Sequence, residues 1–225
     1  PARFNMGFDV CDKHAELTPD KPGLIVADPE VKDVTFTFAQ LRTLSNQLAN
    51  LLKAKGLGRG DRMGIFLSQS VEAAIAHIAA WKMGAISIPL FTLFGEDALS
   101  FRLQDSGAKT LITDIDQLYK LEAIRDDLPE LETILVVGAG KDGADFSDFW
   151  TAMTLAKSKF EPVDTYAEDP AFICYTSGTT GNPKGALHAH RTMFGHLTGV
   201  EMFHDFFPKP NDRMWTPADW AWIGG

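Results

Sequence analysis

Cysteine is scarce in these 225 residues: Cys11 and Cys174 are the two present, and they stand far apart in sequence. So few thiols exclude a disulfide-stapled scaffold and fit a reducing cytoplasm, the localisation expected here. Apolar runs of the length that crosses a bilayer, about eighteen residues, do not occur, so no membrane span is expected. The N-terminal stretch PARFNMGFDV has neither a long apolar core nor a cleavage-like site, which argues against a signal peptide. An initiator methionine is missing, which suggests trimming. Basic charge is in the minority: 21 Lys and Arg stand against 30 Asp and Glu, a net charge of −9. No basic stripe is available for a phosphate backbone, so nucleic acid is a poor partner. The scattered acidic charge reads as solubility. Repeats and low-complexity tracts are also lacking. No terminal helix or polar tail follows the final WIGG, which suggests part of a longer protein.

What is present has globular composition, with 45% hydrophobic residues. Leu41, Leu44, Leu48, Leu51 and Leu52 fall on one helical face, which Gly56 and Gly58 end. RMGIFL (62–67) reads as a buried strand. Val71, Ala74, Ile75, Ile78 and Ala79 form a second helical face, stopped near Gly84. AISIPL (85–90) is a strand, residues 97–106 a helix, KTLITD (109–114) a strand, 116–127 a helix and TILVVG (133–138) a strand. Alternating strands and helices at this spacing predict an α/β fold of mostly parallel sheets flanked by helices. VTFTF (34–38) suggests an additional antiparallel piece. The polar connector KSKFEPVDTYAEDP (157–170) places a division near residue 160: a first α/β subdomain over 1–160 and the start of a second over 161–225.

AFICYTS (171–177) is apolar and β-prone, and it leads into YTSGTTGNPKG (175–185). In open α/β sheets, ligands sit at the carboxyl ends of strands. Gly178, Gly181 and Gly185 permit positive φ and close backbone approach. Thr176, Ser177, Thr179 and Thr180 add hydroxyl donors, and exposed backbone N–H groups in such a loop form an anion-binding concavity. Lys184 adds a mobile point charge suited to phosphate. A polyphosphate ligand follows, although the pattern is not that of a Walker loop, because Lys184 lies between Pro183 and Gly185. A Ser/Thr/Gly-rich surface linker is the bland alternative, and the apolar strand leading in speaks against it.

YTSGTTGNPKG resembles the phosphate-loop signature of the AMP-forming adenylating enzymes, which include acyl-CoA synthetases, luciferases and peptide-synthetase adenylation domains. WKMGAISIPLF (81–91) and FRLQDSGAKTLITD (101–114) resemble the family's early pattern. WTPADWAWIGG (215–225) resembles a segment of the acetate- and medium-chain-activating synthetases, with Pro217 and Ala221 as departures. The resemblance implies an N-terminal portion of an acyl-CoA synthetase of the short- or medium-chain type that joins a small carboxylic acid to ATP as acyl-AMP and then passes it to coenzyme A, with Mg²⁺ assisting. It implies that Thr176, Ser177, Gly178, Thr179, Thr180, Gly181 and Lys184 surround the departing pyrophosphate, with Lys184 and Thr180 as the candidate catalytic residues. It also implies that Asp219 to Gly225 begins a helix bordering the acyl pocket, with Asp219 and Trp222 as substrate-binding candidates. Later segments of the family, for adenine and magnesium, for ribose and for the mobile C-terminal lysine, are absent, so residues 1–225 alone are expected to have little synthetase activity. An adenylation domain that loads a carrier protein and a non-catalytic nucleotide-binding module are the competing readings.

Other features compete less well. GAGKDG (138–143) is a literal G-x-G-x-x-G after a strand, which would suit an NAD-dependent dehydrogenase, but Asp145, Ser147 and Asp148 crowd the position where a helix would begin. A surface turn is expected there instead. His188 and His190 form an H-x-H pair with no cysteine or carboxylate at ligand spacing, so no metal ligand is assigned. Cys174 is expected in the core. Trp215 is expected to be buried, and Met83, Met153, Met193 and Met202 are read as packing.

Overall fold

The structure is a computed structural model in which residues 2–27, 32–176 and 181–222 are described. A π-helical turn, Phe8–Asp12, runs into the short helix α1 (Lys13–Leu17). Strands β1 (Pro22–Val26) and β2 (Val34–Thr37) pair antiparallel as a separate small sheet, the additional piece foreseen from VTFTF. Phe38 does not extend β2. Thr37 caps the following helix instead: its hydroxyl accepts from Gln40 N–H while the Gln40 side chain accepts from Thr37 N–H. This reciprocal capping box starts α2 (Phe38–Ala54) one residue earlier than a continued strand would allow.

The alternating units follow as β3 (Arg62–Phe66), α3 (Val71–Met83), β4 (Ile86–Pro89), α4 (Glu96–Ser106), β5 (Thr110–Asp114), α5 (Leu118–Ile124) and β6 (Thr133–Val137). Gly84 stops α3 at φ +68, a conformation that costs a side-chain-bearing residue energy. The helix expected over 116–127 is divided: Asp114 accepts from Gln117 N–H and opens a 3₁₀ turn, and a second 3₁₀ turn over Arg125–Asp127 closes it. The chain continues through β7 (Ser147–Asp148), α6 (Phe149–Met153), β8 (Pro170–Thr176), β9 (Lys184–Ala189) and α7 (Thr192–Phe203).

Strands β3 to β9 form one seven-stranded sheet in the order β7-β6-β5-β3-β4-β8-β9. All neighbours are parallel except β8 and β9. The chain leaves β3 toward β4 on one side and returns past it to β5, β6 and β7 on the other. Right-handed crossovers then place helices on opposite faces. The core shows this directly. Met63, Ile65, Ile112 and Leu135 pack with α2, α3 and α6, whereas Phe66, Leu111, Ile134 and Val136 pack with α4 and α5. Successive strand residues alternate between the two clusters, so both faces are apolar, as a covered parallel sheet requires. The division expected at residue 160 lies in the connector between α6 and β8, and β8 then joins this same sheet through Ser87 and Phe172.

One polar group crosses the larger cluster. Lys82, near the end of α3, is wholly buried. Its ammonium lies 2.6 Å from Asp12 Oδ1 in the π-helical turn, and it donates to Ser45 Oγ at 2.8 Å and Asn46 Oδ1 at 2.9 Å on α2. Burial pushes the Asp12 carboxyl up and the Lys82 ammonium down, and their attraction opposes both shifts.

Candidate functional site

Strands β8 and β9 are the two arms of a hairpin whose connection carries the phosphate-loop motif. Thr176 and Lys184 face each other at its neck, with Tyr175 opposite Gly185 one step below. Thr176 ends β8 at the carboxyl end of the sheet, and both neck residues are exposed. Ser177, Gly178, Thr179 and Thr180 lie outside the described residues. Two motif glycines have separate physical reasons. Gly181 adopts φ +87, which closes the turn. Gly185 lies under the neighbouring strand, where a Cβ would come within 2.8 Å of Ile173 Cγ2 and 3.3 Å of Tyr175 Cζ.

The motif tyrosine ties the hairpin to the rest of the sheet. Tyr175 is buried, and its hydroxyl donates to Asp105 Oδ2 at 2.7 Å on α4. Burial, and then that carboxylate, push the phenol well above its ordinary value. The Arg102 guanidinium, one turn earlier on α4, stacks over Phe94 at 3.9 Å, and burial lowers its proton affinity. FRLQDSGAK is therefore built against YTSGTTGNPKG. The sequence held both segments but gave no sign that Asp105 and Tyr175 are bonded.

The return arm is fixed at its far end. His190 directly follows β9 and is wholly buried, and its Nδ1 accepts from Met6 N–H at 3.1 Å. Burial pulls its pKa down to about 4. His188 stacks on Phe172 with ring centroids 4.5 Å apart and planes 6° apart. Both histidines are thus packing groups. Among the described residues, no group of three or more His, Cys, Asp or Glu could hold a metal.

His190 supplies a pH test. Its folded pKa lies below the unfolded value near 6.5, so the unfolded chain binds the proton more readily. Stability from this residue is present above about pH 6.5 and is lost as pH falls toward 4. The stability advantage of the parent over His190→Gln should shrink by about 2 kcal/mol between pH 7 and 4.5. Urea unfolding of both proteins across that range measures it, and an advantage independent of pH would refute the assignment.

Trp222 and Asp219 occupy a turn rather than the first turn of a helix: Trp222 N–H donates to Asp219 O at 3.0 Å, and Ala221 N–H to Asp219 Oδ1 at 2.8 Å. The residues beyond Trp222 lie outside the description. The Trp222 ring is half exposed and sits 5.9 Å from the Phe91 ring. It helps to close a cavity of about 340 Å³ together with Pro89, Phe172, Cys174, Trp220 and His77. Cys174 is buried, as expected, but lines this cavity. Trp215 corrects its expectation. It is 82% exposed, because Phe207 to Thr216 forms the outer wall of a separate cleft against β1 rather than entering the core. Met83 and Met153 are buried as packing residues, but Met202 is exposed on α7. GAGKDG is a turn with Gly138 and Gly140 at positive φ, and no helix begins at Gly143, which removes the dehydrogenase reading.

The family model for AMP-binding enzymes matches residues 11–225. The chain belongs to this family. Its members include similar curated proteins: acetyl-coenzyme A synthetase 2 of Candida glabrata is 35% identical over 99% of this chain and 35% of its own length. Acetyl-coenzyme A synthetase of Bacillus subtilis is 32% identical over 99% of this chain and 39% of its own. Among solved structures, an acyl-CoA synthetase of Brucella canis superposes with a TM-score of 0.86 at 26% identity, over 98% of this chain and 39% of that one. An anthranilate CoA ligase in complex with anthranoyl-AMP superposes with a TM-score of 0.80 at 30% identity, over 89% of this chain and 38% of that one. The chain thus spans between a third and two-fifths of the length of these relatives. The α/β fold and the resemblance of the phosphate-loop motif agree with membership of the AMP-binding enzymes. Among the described residues, no helix is long and apolar enough to cross a membrane.

Proposed function

We propose that the whole protein is an AMP-forming acid–thiol ligase that activates a carboxylic acid with ATP and transfers the acyl group to coenzyme A. The observation that carries this reading is the hairpin neck: Lys184 and Thr176 face each other at the carboxyl end of β8, with the motif loop between them. A carboxylate attacking the α-phosphate meets a polyanion, so positioning and neutralised charge must lower the barrier. The Lys184 ammonium supplies the charge at the departing pyrophosphate. Thr176, Ser177, Gly178, Thr179, Thr180 and Gly181 supply hydroxyl and backbone donors. The bonds of Tyr175 to Asp105 and of Met6 to His190 hold the two arms in place before ATP arrives. Mg²⁺, when bound, shields phosphate charge.

Asp219 is a positioning residue in this reading, because its carboxylate is engaged by Ala221 N–H; Trp222 is the group that meets the acid. Residues 1–225 supply the phosphate side of the site and are expected to be inactive alone. A cytoplasmic enzyme suits its substrates and its two buried thiols. Isotope exchange between pyrophosphate and ATP tests the reading. The whole protein should exchange label only when a carboxylic acid is present, and residues 1–225 alone should not. Exchange without acid, or tight ATP binding with no exchange for any acid, would favour the nucleotide-binding module. Acyl transfer to a carrier protein but not to coenzyme A would favour the carrier-loading domain.

A further inference from the structure

Beneath the hairpin, three side chains that the phosphate chemistry does not use form a relay. Ser87 of β4 is wholly buried, with its hydroxyl oxygen 3.1 Å from Trp81 Nε1 and 3.1 Å from His77 Nδ1. An indole nitrogen can only donate. Trp81 therefore gives its N–H to Ser87 Oγ, and because the Ser87 hydroxyl has no other acceptor among the described residues, donation to His77 Nδ1 is the arrangement that satisfies all three groups. That order fixes the imidazole tautomer and leaves the ring proton on Nε2. Burial pulls the His77 pKa down to about 4, so near neutrality the ring is a neutral N–H donor and not a cation. Nε2 has no hydrogen-bond partner among the described residues, and His77 lines the cavity of about 340 Å³.

The rest of that wall is apolar, from Ala74, Ile78, Pro89, Phe172 and Trp222. Its volume falls at the lower end of the roughly 300–1,000 Å³ typical of pockets that enclose a whole small molecule. The cavity lies on the face of β8 that leads toward Thr176. Phe172, Cys174 and Thr176 alternate along β8 and so share one face, and Thr176 stands two residues beyond Cys174, roughly 7 Å along the strand. A body lodged against Phe172 and Cys174 can present its carboxylate at Thr176, where the phosphate motif opens.

We infer that this cavity holds the body of the acid, that the acid is ring-sized rather than two-carbon, and that His77 Nε2–H selects acids with a hydrogen-bond acceptor on that body. The inference rests on the proposed acid activation. A two-carbon acid would leave most of the cavity without partner atoms and forfeit the dispersion contacts of its walls. An aromatic ring occupies roughly half of it, since a cavity of about 150 Å³ takes benzene, and an acceptor in the ring can pair with His77 Nε2–H.

The test uses the whole protein with acetate, benzoate and the three pyridine monocarboxylates, which match benzoate in shape and add one ring acceptor. Acid-dependent pyrophosphate release gives kcat/KM, and quenching of tryptophan fluorescence gives acid binding independently of turnover. Benzoate should exceed acetate by about tenfold, and at least one pyridine monocarboxylate should exceed benzoate by about fivefold. His77→Phe should erase the gap between that pyridine acid and benzoate. Ala74→Leu, which narrows the cavity from α3, should move the benzoate-to-acetate ratio about tenfold toward acetate. A preference for acetate in the parent, a pyridine-to-benzoate gap that survives His77→Phe, or a ratio unmoved by Ala74→Leu would overturn the inference and leave acid activation intact. Acid binding that depends on His77, with no pyrophosphate release from any acid, would overturn the reaction and leave the cavity's assignment standing. Neither binding nor turnover would overturn both.

Discussion

Lys184→Met in the whole protein should lower acid-dependent pyrophosphate release by about a hundredfold or more, with the urea unfolding midpoint unchanged. The magnitude is that of removing one preorganised charge or donor from a transition state in which negative charge moves onto a leaving group. The selectivity of the effect follows from where the residue lies. Lys184 is exposed at the first position of β9, it anchors no core cluster, and its backbone pairing with Thr176 does not depend on the side chain. Methionine keeps the length of the stem and removes the charge. Loss should therefore fall on turnover and not on folding. Lys184→Arg should recover only part of the rate, because a planar fork presents its charge differently from a point ammonium. Full activity of Lys184→Met would remove the hairpin from the chemistry.

The second large effect concerns stability. Lys82→Met should destabilise the fold by about 3–5 kcal/mol, the cost of leaving one member of a buried ion pair without its partner. Asp12 is 4% exposed, so water cannot replace the ammonium, and Asn46 Oδ1 loses its donor at the same time. The double variant Lys82→Met/Asp12→Leu should regain more than half of the loss, because apolar groups of similar size often substitute for a buried pair at little cost. Equilibrium unfolding of the parent, both single variants and the double variant measures the coupling. A Lys82→Met protein within about 1 kcal/mol of the parent would mean that the pair contributes little.

Lys82 also marks where the sequence stopped being informative. In WKMG it reads as a charge at a helix end, close to the glycine that stops the helix. Its partners lie on the π-helical turn and on α2, far back in the chain, and no local pattern announces them. By contrast, β3 to β6 were legible because each is a short apolar run, with β3, β4 and β5 each following a helix that a glycine ends, and both faces of a covered parallel sheet demand such runs. β9 was not foreseen. KGALHA carries no β-branched residue, and its first four positions are exposed, so its strand character comes from pairing with β8 rather than from its own composition.

The candidate site divides in the same way. YTSGTTGNPKG announced a phosphate loop through its glycines, hydroxyls and lysine, and its geometry as a hairpin neck came only with the structure. Of the two substrate-binding candidates read from the sequence, Trp222 lines the cavity and Asp219 does not. The cavity's other walls come from α3, β4 and β8, and the relay of Trp81, Ser87 and His77 needs a helix and a strand brought side by side. Trp215 was misjudged because size and apolarity favour burial on average, and the loop that carries it follows the outside of a cleft.

The bond from Met6 to His190 joins residues 184 positions apart. At about 5–20 residues per second, a ribosome needs on the order of ten to forty seconds to deliver the second partner after the first. Throughout that interval Met6 N–H lacks His190, while β3 to β6, whose pairings span much shorter separations, are already available to one another. This bond therefore closes later than the contacts of Asn5 with Trp81 and of Asp12 with Lys82, whose partners are made about a hundred residues earlier.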